Sequence, residues 1–340
     1  MTTRTTAAAL AVMAATTTLL AAQAGDATKV LAEARAALGG DRKLGAVKTL
    51  TLGGQSLRTS PGGATTEGDL ELTFEFPDKF TRREVAVNMG NMSVYRVSGF
   101  NGDGVINEMD TPPQLSGGGG NVVMFRMAGP GGATVNMGGG AAQTPEQKEA
   151  ARKMLLTVSR QDFARLTLGL FAASFAPYPL TMAYGGQAES PDGKADIIDV
   201  KGDDDFAVRL FIDATTHLPL MLSWMAKEPM QITRQVGGPG GAVVVGPGGG
   251  AARPTTPPAK MTPEERQKLE QQLEADAKER AAKARTVEYR LFYADYRKVD
   301  GVMIPFRLQR SIDGRPTEEV SFDKVKVNPK LDAKAFAVSK

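Results

Sequence analysis

The sequence has no cysteine and a single histidine, His217. Without cysteine there is no disulfide, no thiol nucleophile, no thiolate metal site and no cysteine to carry a lipid anchor. One histidine cannot supply a typical structural zinc site, which wants four ligands drawn mostly from Cys and His. A Ser/His/Asp arrangement would have to rest on His217 alone, and no Gly-x-Ser-x-Gly elbow is present to hold the serine. The segment "TTHLPL" reads instead as a turn at a strand entrance. An excess of one charge is lacking too. The net charge is +3 at pH 7, and no Lys/Arg run builds a patch, which argues against nucleic acid or acidic lipid as a partner.

Other sites fail on chemistry. "NGDGVINE" from Asn101 has Val105 where a calcium loop needs an oxygen ligand, so it reads as a hairpin turn. Asp203, Asp204 and Asp205 read as solvated turn residues. Gly246 to Ala251 fits G-x-G-x-x-A, but the "RPTTPP" that follows cannot open a helix onto a pyrophosphate. The sequence points to no catalytic residue, no metal site and no cofactor, and hence to a protein that is not an enzyme.

What is present begins with a leader. Residues 1–24 carry a lone Arg4, an Ala/Leu/Val/Met stretch broken by three threonines, and an Ala22-Gln23-Ala24 ending. This is the pattern of a secretory signal, and its apolar stretch falls short of the ~20 residues that span a bilayer. Export to the periplasm with cleavage after Ala24 is expected, leaving 25–340 as a single domain with no membrane span.

The mature chain opens with a short helix on which Val30, Leu31, Ala34, Ala37 and Leu38 share a face, stopped by Gly39-Gly40. The period then switches to two. Leu70, Leu72, Phe74 and Phe76 alternate with Glu71, Thr73 and Glu75. Further strands read at 79–87, 92–100, 179–187, 195–202 and 206–213, and at 217–226, where Leu218, Leu220, Leu222 and Trp224 fall on one side. A meander closes the chain, with Ile304, Phe306 and Leu308 on one face and hairpin dipeptides Asp300-Gly301 and Asp313-Gly314. Between the two groups of strands, Thr144-Pro145-Glu146-Gln147 is a capping box. It leads a helix whose second half, with Leu166, Leu170, Phe171, Ser174 and Phe175, needs an apolar partner. Roughly a dozen strands exceed what a twisted open sheet holds flat. The fold class expected is mainly β with helices (α+β): a large curled antiparallel sheet, an unclosed half-barrel with helices on its concave side.

Two insertions interrupt this pattern, at about 110–143 and 226–260, each a Gly-rich tract of linker composition. The second leads into a charged helix at about 262–285 with a thin apolar stripe. Methionines 124, 127 and 137 in the first tract would give an adaptable contact surface.

The candidate site is apolar. Leu72, Phe74, Phe76, Leu166, Leu170, Leu210, Ile212, Leu222, Trp224, Leu291, Ile304, Phe306 and Leu308 are either ordinary core or the lining of a cavity in the curled sheet. A cavity of this kind would take one fatty chain, at about 0.8 kcal/mol per CH₂.

Five stretches in order carry a resemblance: "LAEARAALGGDRKLGAVKTLTLGGQ", "FPDKFTRRE", "LFIDATTHLPL", "DYRKVDGVMIPFRL" and "VSFDKVKVNPKLDAKAFAV". Together they resemble the periplasmic LolA/LolB-type lipoprotein-sorting superfamily, which also contains RseB-like sensors. The resemblance implies an unclosed barrel plugged by helices and a cavity for acyl chains of lipids or lipoproteins. It implies a carrier, or alternatively an envelope sensor or protein-interaction module on the same fold. The two Gly-rich insertions and the charged helix are not part of that family's pattern.

Overall fold

The computed structural model describes residues 26–59, 63–89, 92–110, 145–191, 193–228 and 282–338, with short stretches and single positions between 123 and 279. The leader 1–24, Thr144, Met137, most of the Gly-rich tracts and most of the charged helix at 262–285 lie outside the described residues.

Helix α1 spans 26–38 and α2 spans Asp41–Ala46. Strands β1 (Thr49–Thr59), β2 (Thr65–Glu75), β3 (Lys79–Met89), β4 (Met92–Asn101) and β5 (Gly104–Asp110) follow. After β6 (Val123–Ala128) and β7 (Thr134–Val135) comes α3 (Pro145–Phe171). Next are β8 (Leu180–Ser190), β9 (Gly193–Gly202), β10 (Ala207–Asp213), β11 (Pro219–Lys227) and β12 (Gln231–Gln235). The chain continues through β13 (Val244–Val245), β14 (Ala251–Ala252), β15 (Thr286–Val299), β16 (Val302–Ile312) and β17 (Arg315–Val327). No described helix is long and apolar enough to cross a membrane.

Twelve strands form one antiparallel sheet in the order β5-β4-β3-β2-β1-β17-β16-β15-β11-β10-β9-β8. The two halves of the chain each make a meander, and β17 joins them by pairing with β1 from Leu50↔Val327 to Arg58↔Glu318. β5 and β8 remain the two edges, so the sheet is not closed. The Gly-rich tracts, read from composition as linkers, also carry β6, β7 and β12 to β14. These pair with one another in a second, five-stranded sheet, and β6 and β12 join the two tracts from Gln231↔Met127 to Gln235↔Val123.

The large sheet is curled around α3, as five residues of that helix show. Arg160 donates to the Gly102 carbonyl in the β4–β5 turn at 3.1 Å. Gln161 donates to the Asp204 carbonyl in the β9–β10 turn at 3.1 Å. Asp162 holds Arg310 of β16 at 2.6 Å. Phe163 packs on Phe100 of β4 at 5.5 Å between centroids, and Arg165 lies 4.5 Å from the Trp224 ring of β11. Residues 160–165 occupy about 8 Å of helix axis. β4 and the β9–β10 turn are eight strand spacings apart, which on a flat sheet is about 38 Å at ~4.8 Å per strand. Only a sheet bent round the helix brings both within side-chain reach, so the architecture is the expected unclosed half-barrel with a helix on its concave side.

Local chemistry fixes the details. Asp300 (φ 50°) with Gly301 (φ 85°), and Asp313 (φ 50°) with Gly314 (φ 75°), make left-handed pairs at the tips of the β15–β16 and β16–β17 hairpins. That is the turn conformation whose twist suits antiparallel strands. His217 (φ 58°) closes a turn by donating its backbone N–H to Asp213, and the Asp213 carboxylate accepts from the Thr215 and Thr216 amides at 2.9 and 2.6 Å.

Two expectations need correction. The helix stops at Phe171 rather than running through Phe175, because Ala172 turns left-handed (φ 46°) after its N–H bonds Leu168. Ala176 and Tyr178, each before a proline, disfavour helix, and the Ser174 hydroxyl instead accepts from the Leu180 amide at 3.0 Å. Leu220 does not share a face with Leu222. Ile212 pairs with Pro219 and Phe211 with Met221, so Leu220 is the extra residue of a β-bulge and is exposed.

Gly169 shows how closely the helix seats on the sheet. A Cβ there would stand 2.1 Å from the Tyr293 ring. That ring cannot simply withdraw, because its hydroxyl donates to the Arg165 carbonyl at 2.6 Å. Helix propensity favours alanine over glycine by about 1 kcal/mol, yet Gly169→Ala is expected to lose about 1–3 kcal/mol through overpacking. Urea unfolding checks the sign, and a gain would mean that the ring has room to turn aside.

Candidate functional site: the concave face and its charged end

Side chains two apart on a strand share a face, and cross-strand pairing aligns the concave face into rows. Phe100, Phe80, Phe74 and Leu50 make one row across β4, β3, β2 and β1. Leu72 and Leu52 continue the next, but its β3 member is Arg82 and its β4 member Ser98. One row further, Arg96, Glu84 and Leu70 stand opposite each other. On the other side of the seam, Val320 pairs with Leu308, and Glu318 with both Arg310 and Arg58. The concave face is therefore amphipathic along the strands: aromatic and aliphatic at one end, charged at the other. On β1 the eight-residue step from Leu50 to Arg58 covers about 26 Å at ~3.3 Å per residue.

The apolar end is dense with rings. Phe163 of α3 lies 6.1 Å from Phe74, 6.1 Å from Phe76, 6.1 Å from Phe80 and 5.7 Å from Phe175, besides its contact with Phe100. Phe76 stacks on Phe175 at 4.9 Å and meets Phe171 edge-on at 5.0 Å. These distances are in the range of favourable aromatic pairs.

At the charged end the groups form a chain of ion pairs. Arg58 meets Glu84 at 2.9 Å, Glu84 meets Arg82 at 2.7 Å, and Arg82 also bonds Glu318. Glu318 holds Arg310 at 3.1 Å, and Arg310 holds Asp162 of α3 at 2.6 Å. Burial alone would push the Glu84 carboxyl pKa up. The guanidinium charges of Arg82 and Arg58 reverse this and hold it below the usual value. For Asp162, burial is likewise outweighed by Arg310 and Arg82, and its pKa is lowered. Carboxylates held ionised in this way are poor proton donors near neutrality; their role here is to tie the helix to four strands.

All thirteen sequence-identified positions belong to the core. Leu72, Phe74, Leu166, Leu170, Leu210, Ile212, Leu222, Leu291, Ile304 and Leu308 are buried in one cluster, with Phe76, Trp224 and Phe306 partly buried against it. α3 lies over that face and brings its own Phe163, Leu166, Leu168 and Leu170 into the same cluster. A depression of about 330 Å³ lies elsewhere, bounded by Pro179, Leu180, Thr181, Lys201, Gly202 and Asp203. None of the thirteen residues lines it.

Sequence reading missed the charged end entirely. The signal was in the same period-two register that revealed the strands: Phe80-x-Arg82-x-Glu84, Leu308-x-Arg310 and Glu318-x-Val320-x-Phe322 each carry charge onto the apolar face. Asp162 and Arg165 sit among the apolar residues of α3 by the same logic.

No protein-family model matches the sequence, and neither does any curated protein. Solved structures with a similar course of chain include a LolA superfamily protein from Nitrosomonas europaea, at TM-score 0.42 and 8% identity. A DUF1329 family protein from Desulfovibrio piger gives TM-score 0.42 at 8% identity. An outer membrane lipoprotein-sorting protein domain from Vibrio parahaemolyticus gives 0.42 at 7%. Each comparison covers 92% of this chain and 97% of the other, and the likeness is one of fold alone.

Proposed function

We propose that this protein is a carrier of the cell envelope, exported by its leader, that binds the acyl chain of a lipid or lipoprotein along the apolar rows of its concave face. The observation that carries this reading is the cover of that face: the helix α3, packed on strands from both halves of an unclosed sheet. Binding takes place with the acyl chain displacing the apolar side chains of α3 from those rows, while Asp162 and Arg165 keep the helix seated. The energies are commensurate. An acyl chain of about sixteen carbons recovers about 13 kcal/mol at ~0.8 kcal/mol per CH₂, against about 8–15 kcal/mol for the five large α3 side chains Phe163, Leu166, Leu168, Leu170 and Phe171 at ~1.5–3 each. A ligand of this kind can replace those side chains; a short fatty acid cannot. The function is binding, with the ion-paired carboxylates serving to seat α3.

Native mass spectrometry of gently purified protein should show co-purifying lipid. Delipidated protein should then take up long-chain fluorescent fatty acid with a dissociation constant in the micromolar range, about −8 kcal/mol, and an eight-carbon analogue far more weakly. Neither bound lipid nor uptake would sink the proposal.

A further inference from the structure

Among the described residues, the arginines Arg58, Arg82 and Arg310 are matched by Glu84, Glu318 and Asp162. Arg165 is additional to this balanced chain. It is 7% exposed, and its one side-chain hydrogen bond goes to Oε1 of Gln161, a neutral acceptor, at 3.2 Å. Its Nε is buried and has no hydrogen-bond partner among the described residues. Trp224 and Phe206 lie 4.5 and 5.2 Å from the guanidinium carbon. Burial pulls its pKa down, to about 10, and the nearby Asp162 charge works against that pull; Arg165 therefore stays cationic at neutral pH. A buried charge with no counter-ion bonded directly to it is costly, and arginine cannot relieve the cost by shedding its proton.

The site suits an anion of particular shape. Aromatic rings take the π-face contacts of a guanidinium and leave its in-plane N–H donors for oxygen acceptors, which carboxylates and phosphates supply. Gln161 is itself fixed, donating its amide to the Asp204 carbonyl at 3.1 Å. Trp224, against which Arg165 lies, is itself packed against the apolar cluster. We propose that Arg165 receives the oxyanion of the ligand, a carboxylate or phosphate head whose acyl chain lies along the apolar rows. This inference rests on the carrier reading for the chain and on Arg165 alone for the head.

Parinaric acid and the corresponding alcohol have the same chain and differ in the head. The wild-type protein is expected to bind the acid about tenfold or more tightly than the alcohol, the range of a charge-assisted hydrogen bond. Arg165→Gln should bind both alike, with its fold verified by circular dichroism. Equal affinities in the wild type overturn the assignment. Should Arg165→Gln not fold, Arg165→Met, which removes the charge but keeps an apolar stem against Trp224, takes its place. If neither probe binds, the carrier reading fails and the arginine is decided separately. Inorganic phosphate is then expected to shift the Arg165 Nε–H resonance of nitrogen-15-labelled protein to saturation, which would identify a free anion as the ligand; an unmoved resonance overturns the anion site.

Discussion

Glu318→Ala is expected to destabilise the protein by about 3–5 kcal/mol, the usual result of removing one partner from a buried ion pair. Glu318 bridges Arg82 of β3 and Arg310 of β16, and those arginines sit in sequence-distant halves of the sheet. Without the carboxylate both guanidinium groups stay buried and lose their shared counter-charge, while Arg310 keeps Asp162 and Arg82 keeps Glu84. The loss is read from urea unfolding at neutral pH. A change below 1 kcal/mol, the size seen for exposed pairs, would show that water reaches the charged end and that it does little to hold the halves together. The same network sets an acid limit. Glu84 and Asp162 have folded pKa values below their ordinary 4.5 and 3.8. Their contribution is thus complete above those ordinary values and is lost as the pH falls through the lower folded ones. Stability measured from pH 6 downward should hold until about pH 5 and then fall, and Glu84→Gln should flatten that fall.

Phe163→Ala is the second large effect, again about 3–5 kcal/mol, from lost burial plus the void left behind. Phe163 is 1% exposed and is the one ring of α3 that touches Phe74, Phe76, Phe80, Phe100 and Phe175 together. Its removal takes the helix's anchor from β2, β3 and β4 while leaving Asp162 on Arg310. A void lined by phenylalanines stays dry and accepts small apolar molecules, so benzene should raise the melting temperature of Phe163→Ala and leave the wild type unmoved. A loss under about 1.5 kcal/mol would mean that the neighbouring rings collapse into the space.

Much of the architecture was written in periodicity. Leu70, Leu72, Phe74 and Phe76 announced β2, and the Asp-Gly pairs at 300 and 313 announced the last hairpins, because a left-handed turn is a local demand with few residues able to meet it. The curl was legible only by counting strands. Its cause, one helix touching both halves, depends on contacts between residues such as Arg160 and Gly102 that no local pattern encodes. The bulge that turns Leu220 outward was hidden, since one extra residue in a strand leaves alternation looking intact. The charged end was missed for a related reason: arginines and glutamates in a strand are ordinarily its solvent side, and only the spacing of two from Phe80, Leu308 and Val320 along the same strands places Arg82, Arg310 and Glu318 on the inner side. The thirteen apolar positions were identified as a group, and the structure gathers them, but alternation cannot show what lies over them.

The central claim is that the face beneath α3 accepts an acyl chain, and Trp224 allows it to be tested without engineering. It is the sole tryptophan of the chain, it stacks on Tyr289 at 5.5 Å, and it lies partly buried against the core. A dibrominated stearic acid quenches tryptophan on contact. Titration into the delipidated protein should quench Trp224 saturably at one ligand per chain, with unbrominated stearic acid competing it away. Emission that stays unchanged while the ligand is in excess would show that no chain reaches the concave face.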